Sequence, residues 1–137
     1  MHSSIILSKN ADEFIFRELK VSDGKNLGSF FLNLSVNTKS KFGPHPLTME
    51  CANELCHVIG ATNIQRFIAV KGEEIAGYFI LDFNKYNNEI ARYQRNAIIL
   101  DSGLDPIFAP CIADKYQNNG IASSAMSLII KIAQQAN

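Results

Sequence analysis

The sequence predicts an α+β (mixed α/β) domain in which helices cover one sheet. Segments with strand and helix signals follow one another in the order β-α-α-β-β-β-α. A tight turn at Gly72 joins two strand segments as a hairpin, so at least one strand pair is antiparallel. The 137 residues, 47% of them hydrophobic, suffice for one core, and we expect 1–137 to form a single domain.

The first half of the chain contains one predicted strand and two predicted helices. Aromatic and β-branched residues indicate a strand over 13–19. Ser22 is the expected N-cap of a helix over 23–34, where apolar residues recur at helical spacing. The breaker-rich stretch 35–47 predicts a loop, and Thr48 is the expected N-cap of the second helix.

The middle of the chain predicts a β-hairpin. Gly60 is expected to end the second helix. Strands over 66–70 and 75–83 flank the turn at Gly72, whose glycine suits the positive φ of a type II′ corner. Gly77 lies inside the second of these strands, which predicts a bulge or a close approach of backbone.

The last part of the chain predicts a loop, a strand and a helix. Turn signals at both ends indicate a loop over 84–105, and the apolar run at 97–100 leaves a short helix or a strand extension open within it. Residues 107–113 are predicted to form a strand despite Pro110. The helix begins at Ile121, and its apolar face is expected to include Met126 and Ile129.

Charge and composition exclude several classes of function. Thirteen basic and thirteen acidic residues give zero net charge, so nothing indicates a nucleic-acid or membrane partner. No stretch approaches the ~18 apolar residues of a membrane span, and the N-terminus lacks the apolar core of a signal peptide. Three cysteines make a poor disulfide framework, so we expect a cytoplasmic protein.

The stretch from Ile112 to Ala122 carries the clearest chemical signal. It predicts a strand, a turn that contains Gly120, and the start of a helix. A helix start presents unpaired N–H groups and a partial positive charge, which favour phosphate groups. A Walker loop needs a Gly-Lys pair and a dinucleotide fingerprint needs three glycines, so both are disfavoured here.

The segment Gln117-Asn118-Asn119-Gly120-Ile121-Ala122 resembles the Gln/Arg-x-x-Gly-x-Gly/Ala signature of the GNAT N-acetyltransferase superfamily. Ile112 stands at that family's aliphatic position five residues before the glutamine, and Tyr116 at its frequent aromatic position. The predicted order of elements also matches. The resemblance implies a mostly antiparallel sheet flanked by helices, with acetyl-CoA as cosubstrate and no metal.

The resemblance also implies which residues hold the coenzyme. Backbone N–H groups of the signature would bind the pyrophosphate, and the strand before it would pair with the pantetheine arm. The implied coenzyme-binding residues are Ile112, Ala113, Gln117, Asn118, Asn119, Gly120, Ile121, Ala122 and Ser123.

The implied reaction is direct attack of a neutral amine on the acetyl thioester. Positioning and oxyanion stabilisation lower its barrier, and a base removes the ammonium proton. The acceptor would be an amine-bearing small molecule or a protein N-terminus. The family domain continues beyond the last helix found here, so we expect a C-terminally truncated domain, roughly its N-terminal three quarters, with an unpaired sheet edge. Two alternatives follow: a non-catalytic acyl-CoA-binding or regulatory module, and an inactive fragment completed by a partner chain, for example as a homo-oligomer.

No catalytic residue is assigned from the sequence. Asp114, Asp101, Asp105, Glu50 and Glu54 are candidate bases by position. Turn capping is the simpler interpretation of Asp114, and solvent exposure that of the other four.

The cysteines and histidines do not predict a metal site. The spacing of Cys51, Cys56 and His57 matches no common zinc site, with or without His45. Cys111 is expected to be a small buried residue rather than a nucleophile. The phenylalanines Phe30, Phe31 and Phe42 are candidates to line an acceptor cleft, although the first two have the spacing of core residues.

Overall fold

The computed structural model describes residues 3–59, 64–82 and 107–135 as a five-stranded sheet with helices on both faces. The strands are β1 (Ser4–Leu7), β2 (Glu13–Glu18), β3 (Ile64–Lys71), β4 (Glu74–Asp82) and β5 (Ile107–Ile112). The helices are α1 (Gly24–Leu32), α2 (Val36–Lys41), α3 (Met49–His57) and α4 (Ile121–Gln135). The predicted α+β class is confirmed.

The sheet is antiparallel throughout, and its strands lie side by side in chain order from β1 to β5. Gly72, in the turn between β3 and β4, has the predicted positive φ, +65°. The register shifts between Ala69 and Val70, opposite Gly77. The predicted bulge is therefore present beside Gly77. A Cβ on Gly77 would lie only 2.8 Å from the ring of Phe79, so the atoms that approach this glycine closely are those of side chains.

Two hydrophobic clusters, one on each face of the sheet, form the core. α1 and α3 cover one face, and Phe31, Ile68 and Tyr78 are among its fully buried residues. α4 covers the other face and packs against side chains from all five strands. Two of these, Phe16 and Phe67, stack with their ring centroids 5.3 Å apart. Because both faces are covered, the side chains of β4 are buried along almost its whole length.

Several local signals are confirmed. The first predicted strand corresponds to β2, and its Phe14 and Phe16 lie in the same core cluster. The Thr48 side chain accepts a hydrogen bond from the Cys51 N–H and so caps α3. Gly28 lies where α1 and α3 pack closely, since a Cβ there would overlap the sulfur of Met49.

Among the described strands and α-helices, β1 and α2 were not predicted. β1 has only four residues, and Ile6 alone among them is buried, so no alternation is long enough to recognise. α2 lies inside the stretch predicted as a loop, with Ser35 as its N-cap. It has six residues and none is buried, so it leaves no apolar stripe in the sequence.

Two side-chain predictions were wrong. Ser22 does not cap α1, because a 3-10 turn over Val21–Asp23 precedes that helix and places Asp23 at its N-cap. Met126 is 43% exposed rather than part of the buried face of α4, which is formed by Ile121, Ala125 and Ile129. The apolar stripe of α4 is therefore narrower than the sequence indicates.

The predictions for Gly60, for Phe83 and for the loop 84–105 lie outside the described residues. Within the described ranges, no helix is long and apolar enough to cross a membrane.

Candidate functional site

The loop between β5 and α4, residues 113–120, places the start of α4 beside the edge of the sheet. Asn118 and Gly120 have positive φ values of +64° and +83°. Gly120 is suited to such a φ at no steric cost, and it lets the chain turn directly into the helix. Ser124 N–H donates to the Gly120 carbonyl at 3.1 Å, which begins the helical bonding pattern. The amides that precede Ser124 in the helix are therefore free of helical acceptors.

A cavity of about 540 Å³ opens at this helix start, and we call it the cleft. Of the nine residues that the signature implied, seven line the cleft: Ile112, Gln117, Asn118, Gly120, Ile121, Ala122 and Ser123. Pro110 and Cys111 of β5 form part of its wall. The sheet edge and the helix start thus meet in one space.

The other two implied residues have engaged backbone groups. Ala113 donates its N–H to Ala76 at 2.8 Å, and its carbonyl accepts from Tyr116 N–H at 2.8 Å. The Asn119 carbonyl accepts from the Lys9 N–H at 2.8 Å. The structure therefore uses Ala113 to hold the β5–α4 loop on β4, and Asn119 to hold it on the β1–β2 connection.

Two lysines that the sequence did not single out reach the cleft. Lys9 lies in the β1–β2 connection, with side-chain carbons 3.6 and 3.8 Å from the position of a Cβ on Gly120. Lys41 is the last residue of α2 and also lines the cleft. Both lysines belong to elements that the sequence does not predict, so nothing local associates them with Gly120. Among the described residues that line the cleft, none is acidic.

The Gln117 side chain acts as an internal brace. Its Nε2 donates to the Ile112 carbonyl and to Thr38 Oγ1, each at 3.0 Å. These two bonds connect the end of β5, the β5–α4 loop and α2. The glutamine of the signature thus shapes the cleft through α2 as well as lining it.

Asp114 anchors α2 from the same loop. Its two carboxylate oxygens accept from Ser35 N–H and from the Thr38 hydroxyl, both at 3.0 Å. Hydrogen bonds from Ser35 and Thr38 hold the pKa of Asp114 below its ordinary value. A carboxylate with a lowered pKa and two donors is a poor base, which agrees with the structural interpretation of this residue.

Lys115 faces away from the cleft. Its Nζ forms an ion pair with Glu74 at 2.8 Å, and the Tyr116 hydroxyl donates to the same carboxylate at 2.8 Å. Hydrogen bonds from Lys115 and Tyr116 lower the pKa of Glu74. Lys115, the lysine nearest to the signature in the sequence, is therefore paired with a residue of the β3–β4 hairpin.

A second polar cluster lies behind the wall of the cleft. The Tyr78 hydroxyl, on β4, is 2.8 Å from Arg66 Nη1 and 3.0 Å from His45 Nε2. Cys51 Sγ is 3.6 Å from His45 Nδ1, and the ring of Phe42 lies 5.1 Å from that of His45. Phe42 also lines the cleft, so one aromatic ring separates this cluster from it.

The remaining candidate residues that the structure describes are either buried in the core or exposed to solvent away from the cleft, apart from Cys111 in its wall. Cys111 is buried, and burial raises its pKa to about 11, so its thiol stays protonated at neutral pH. Glu50 and Glu54 are exposed on α3, whereas Phe30 and Phe31 are core residues, as their spacing indicates. The candidates Asp101 and Asp105 lie outside the described residues. In the described ranges, no three His, Cys, Asp or Glu side chains gather as metal ligands would.

The chain is similar in fold to several solved acetyltransferase structures. The GNAT domain of S. lividans PAT matches with a TM-score of 0.70 and 20% identity, over 97% of this chain and 72% of that one. The ribosomal-protein-S5-alanine acetyltransferase from Vibrio fischeri matches with a TM-score of 0.68 and 16% identity, over 99% and 69%. The ribosomal L7/L12 α-N-protein acetyltransferase RimL matches with a TM-score of 0.65 and 13% identity, over 99% and 68%.

At these identities the similarity concerns architecture alone. No protein-family model matches the chain, and no curated protein does. The matched portions comprise the antiparallel sheet and the helices that flank it. The chain therefore has the fold of the GNAT acetyltransferases.

Proposed function

We propose that the chain binds acetyl-CoA in the cleft and transfers its acetyl group to an amine. The observation that carries this proposal is the convergence of three features on one space: the start of α4, the positive-φ loop at Gly120, and two lysines. Each of these features favours a phosphate-bearing ligand, and none of the described lining residues is acidic.

The phosphate groups of the coenzyme would lie against the signature segment. The amides at the start of α4 supply donors and a partial positive charge. Lys9 and Lys41 would add charge from the two sides of the cleft. Gly120 leaves the backbone open to close approach, whereas a side chain there would meet Lys9.

The acyl end of the coenzyme would extend along the outer edge of β5, which pairs with no further strand among the described residues. Ala113 N–H points toward β4, because it donates to Ala76. In an antiparallel strand this direction alternates, so the N–H of Ile112 points away from β4. Phe108 and Pro110 occupy the other outward positions of β5, and at Pro110 the missing N–H costs no bond to β4. Of the β5 residues that line the cleft, Ile112 is thus the one whose outward N–H can donate to the pantetheine arm or the thioester.

The reaction would be a direct transfer. The amine nitrogen forms a bond to the thioester carbonyl carbon, the carbon–sulfur bond breaks, and the coenzyme leaves as a thiolate that takes up a proton. The chain contributes positioning and a donor for the developing oxyanion. Two of the proteins of similar fold are named as acetyltransferases of a ribosomal protein's alanine and of a protein α-amine, so we include peptide N-termini among the acceptors to be tested.

A non-catalytic coenzyme-binding module is the second candidate. In the described part of the chain, no Asp, Glu or His lines the cleft, so no group there is suited to take the ammonium proton. Such a module would bind acetyl-CoA without transferring its acetyl group.

Calorimetric titration of acetyl-CoA tests the site. We expect saturable binding that Gly120→Glu abolishes, because glutamate adds bulk and negative charge beside Lys9. Gly72→Glu is the matched control, since it replaces another glycine of positive φ with the same residue, and Gly72 does not line the cleft. Equal binding by wild type and Gly120→Glu would overturn the site.

Turnover then separates the two candidates. Release of free coenzyme thiol is measured with small amines and with peptides that carry an unblocked N-terminus. Thiol release that depends on an amine supports the transferase, and binding with no thiol release for any amine supports the module.

A further inference from the structure

A chain of hydrogen bonds ties the segment after α2 to the sheet. The segment 42–47 connects α2 to α3 and contains His45. His45 Nε2 is 3.0 Å from the Tyr78 hydroxyl, and that hydroxyl is 2.8 Å from Arg66 Nη1. His45 Nδ1 is 2.8 Å from the Pro46 carbonyl. Tyr78 is completely buried, so its hydroxyl depends on these partners for its hydrogen bonds.

The direction of each bond follows from the chemistry of its partners. A carbonyl only accepts, so His45 Nδ1 carries a proton and donates to Pro46. A guanidinium only donates, so the Tyr78 oxygen accepts from Arg66. Among the described residues, His45 Nε2 is the acceptor within reach of the buried Tyr78 O–H, so the O–H donates there and Nε2 is unprotonated. The arrangement requires a neutral His45 as the Nδ1–H tautomer.

Protonation of His45 would break this arrangement. Nε2 would become a donor that faces a hydroxyl already bonded to Arg66, and the buried Tyr78 proton would lose its acceptor. A buried hydroxyl without a partner is costly, and the imidazolium would also face the positive charge of Arg66 through Tyr78. The closed segment is therefore compatible with only one charge state of His45.

In the part of the chain that the structure describes, the groups that face His45 come from four elements. β3 supplies Arg66 and β4 supplies Tyr78, whereas α1 supplies the uncharged ring of Phe31 at 5.5 Å. α3 supplies the thiol of Cys51 at 3.6 Å. Burial and the carboxylates Glu50 and Glu54 of α3 raise the pKa of Cys51, so the thiol is neutral. Those two carboxylates are the groups that would favour a charged His45, and they are exposed to solvent.

We propose that His45 is a pH-sensitive latch on the wall of the cleft. In its neutral form it holds segment 42–47 on the sheet and keeps Phe42 in the cleft wall. In its protonated form it releases the segment, and Phe42 leaves the wall. This device goes beyond the proposed acetyl transfer, because it requires no bound coenzyme.

The electrostatics agree in sign with the geometry. Burial, followed by the positive charge of Arg66, holds the pKa of His45 below its ordinary 6.5 despite the bond to Pro46. The latch thus stabilises the closed segment above pH 6.5, the value expected for the released side chain. This stabilisation is lost as the pH falls further, since the released form takes up a proton first.

Tryptophan fluorescence tests the latch directly. The chain has no tryptophan, so Phe42→Trp introduces a single probe at the cleft wall. Between pH 8 and pH 5 we expect its emission to shift to the red and its quenching by acrylamide to increase, with a one-proton midpoint below about 6.5. Circular dichroism at each pH shows whether the protein stays folded.

Two histidine variants in the Phe42→Trp background identify the titrating group. His45→Gln keeps an acceptor for Tyr78 and cannot be protonated, so it should abolish the transition. His57→Gln is the control, because His57 is exposed and bonds only to Asn53 of its own helix among its described contacts. A transition that persists in His45→Gln, or no transition while the protein stays folded, would overturn the proposal.

Hydrogen exchange provides a readout that does not depend on the tryptophan. Wild type and His45→Gln are compared at equal pH, so that intrinsic exchange rates cancel. At pH 5.5 the amides of segment 42–47 should exchange about fivefold faster in wild type than in His45→Gln, and at pH 7.5 the two should agree. Equal rates at both pH values would contradict the latch.

Discussion

Asp23 shows how one buried charge can fix a chain reversal. It lies in the turn between β2 and α1 and is 6% exposed. Arg17 donates to both of its carboxylate oxygens, at 2.8 and 2.9 Å, and the Lys20 N–H donates to one of them at 2.7 Å. Burial alone would raise the pKa of Asp23, but the hydrogen bonds from Arg17 and Lys20 outweigh it and lower the pKa. A carboxylate in this position is held in its charged form.

We expect Asp23→Asn to destabilise the protein by roughly 3 kcal/mol at pH 7, because Arg17 would keep its charge without an anionic partner. Urea denaturation measures the loss. Since the folded-state pKa of Asp23 is lowered, its contribution is present above the unfolded value of about 3.9 and disappears as the pH falls through the folded value. The difference between wild type and variant should therefore shrink below pH 4.

Asp12→Asn is the matched control for this prediction. It removes a carboxylate from an exposed pair with Lys71, where both side chains are more than 40% exposed. Such pairs contribute about 0 to 1 kcal/mol. If the two variants lose similar stability, the burial of Asp23 is not what makes its ion pair strong.

At the scale of residues, the sequence correctly predicts caps and turns that depend only on residues nearby in the chain. Thr48 caps α3 and Gly72 turns the hairpin, because both roles are set within three residues. Ser22 and Asp23 are adjacent and both are common N-caps, so local chemistry cannot choose between them. In the structure Asp23 stands at the N-cap position without a side-chain capping bond, and its carboxylate bonds instead to Arg17 of the preceding strand and to the Lys20 N–H.

At the scale of elements, α2 owes its place to contacts that are distant in sequence. Its N-terminal residues bond to Asp114 across 79 and 76 positions of the chain. Gln117 adds a bond to Thr38. α2 in turn carries Lys41 into the cleft, so a helix with no buried residue completes the candidate site. This explains why the sequence indicated the signature segment but not the cations opposite it.

We expect Asp114→Ala to weaken acetyl-CoA binding about fivefold to tenfold, because α2 would lose two of the bonds that fix it beside the cleft. Titration calorimetry measures the affinity. Asp114→Asn should have a smaller effect, since its amide oxygen can still accept from Ser35 N–H. Full affinity in Asp114→Ala would show that the position of α2 does not matter for the coenzyme.

At the scale of the whole molecule, zero net charge conceals a local asymmetry. The chain has 13 basic and 13 acidic residues, and yet Lys9 and Lys41 line the cleft with no acidic residue among its described lining. Nearby acidic groups have other partners: Asp114 bonds to α2, and Glu74 pairs with Lys115. Within the described ranges, the fold thus gathers positive charge without an acidic neighbour in the lining of the cleft, where we propose that phosphate groups bind.

This asymmetry predicts a salt dependence that the net charge does not. The Debye length falls from about 14 Å at 0.05 M salt to about 4 Å at 0.5 M, so attraction between the lysines and the coenzyme phosphates is largely screened at the higher value. We expect the affinity for acetyl-CoA to fall several-fold over this range. The double variant Lys9→Gln with Lys41→Gln should bind more weakly at low salt and should lose most of the salt dependence.

The control for this prediction is Lys39→Gln, which removes one charge from the same helix outside the cleft. Lys39 Nζ lies 3.5 Å from the Leu32 carbonyl, on the side of α2 that faces α1. A field produced by the molecule as a whole would respond to Lys39 as it does to Lys41. A field produced by the cleft would respond only to Lys9 and Lys41. Equal salt slopes for the single variants Lys39→Gln and Lys41→Gln would therefore show that the lysines of the cleft act only as part of a diffuse surface charge.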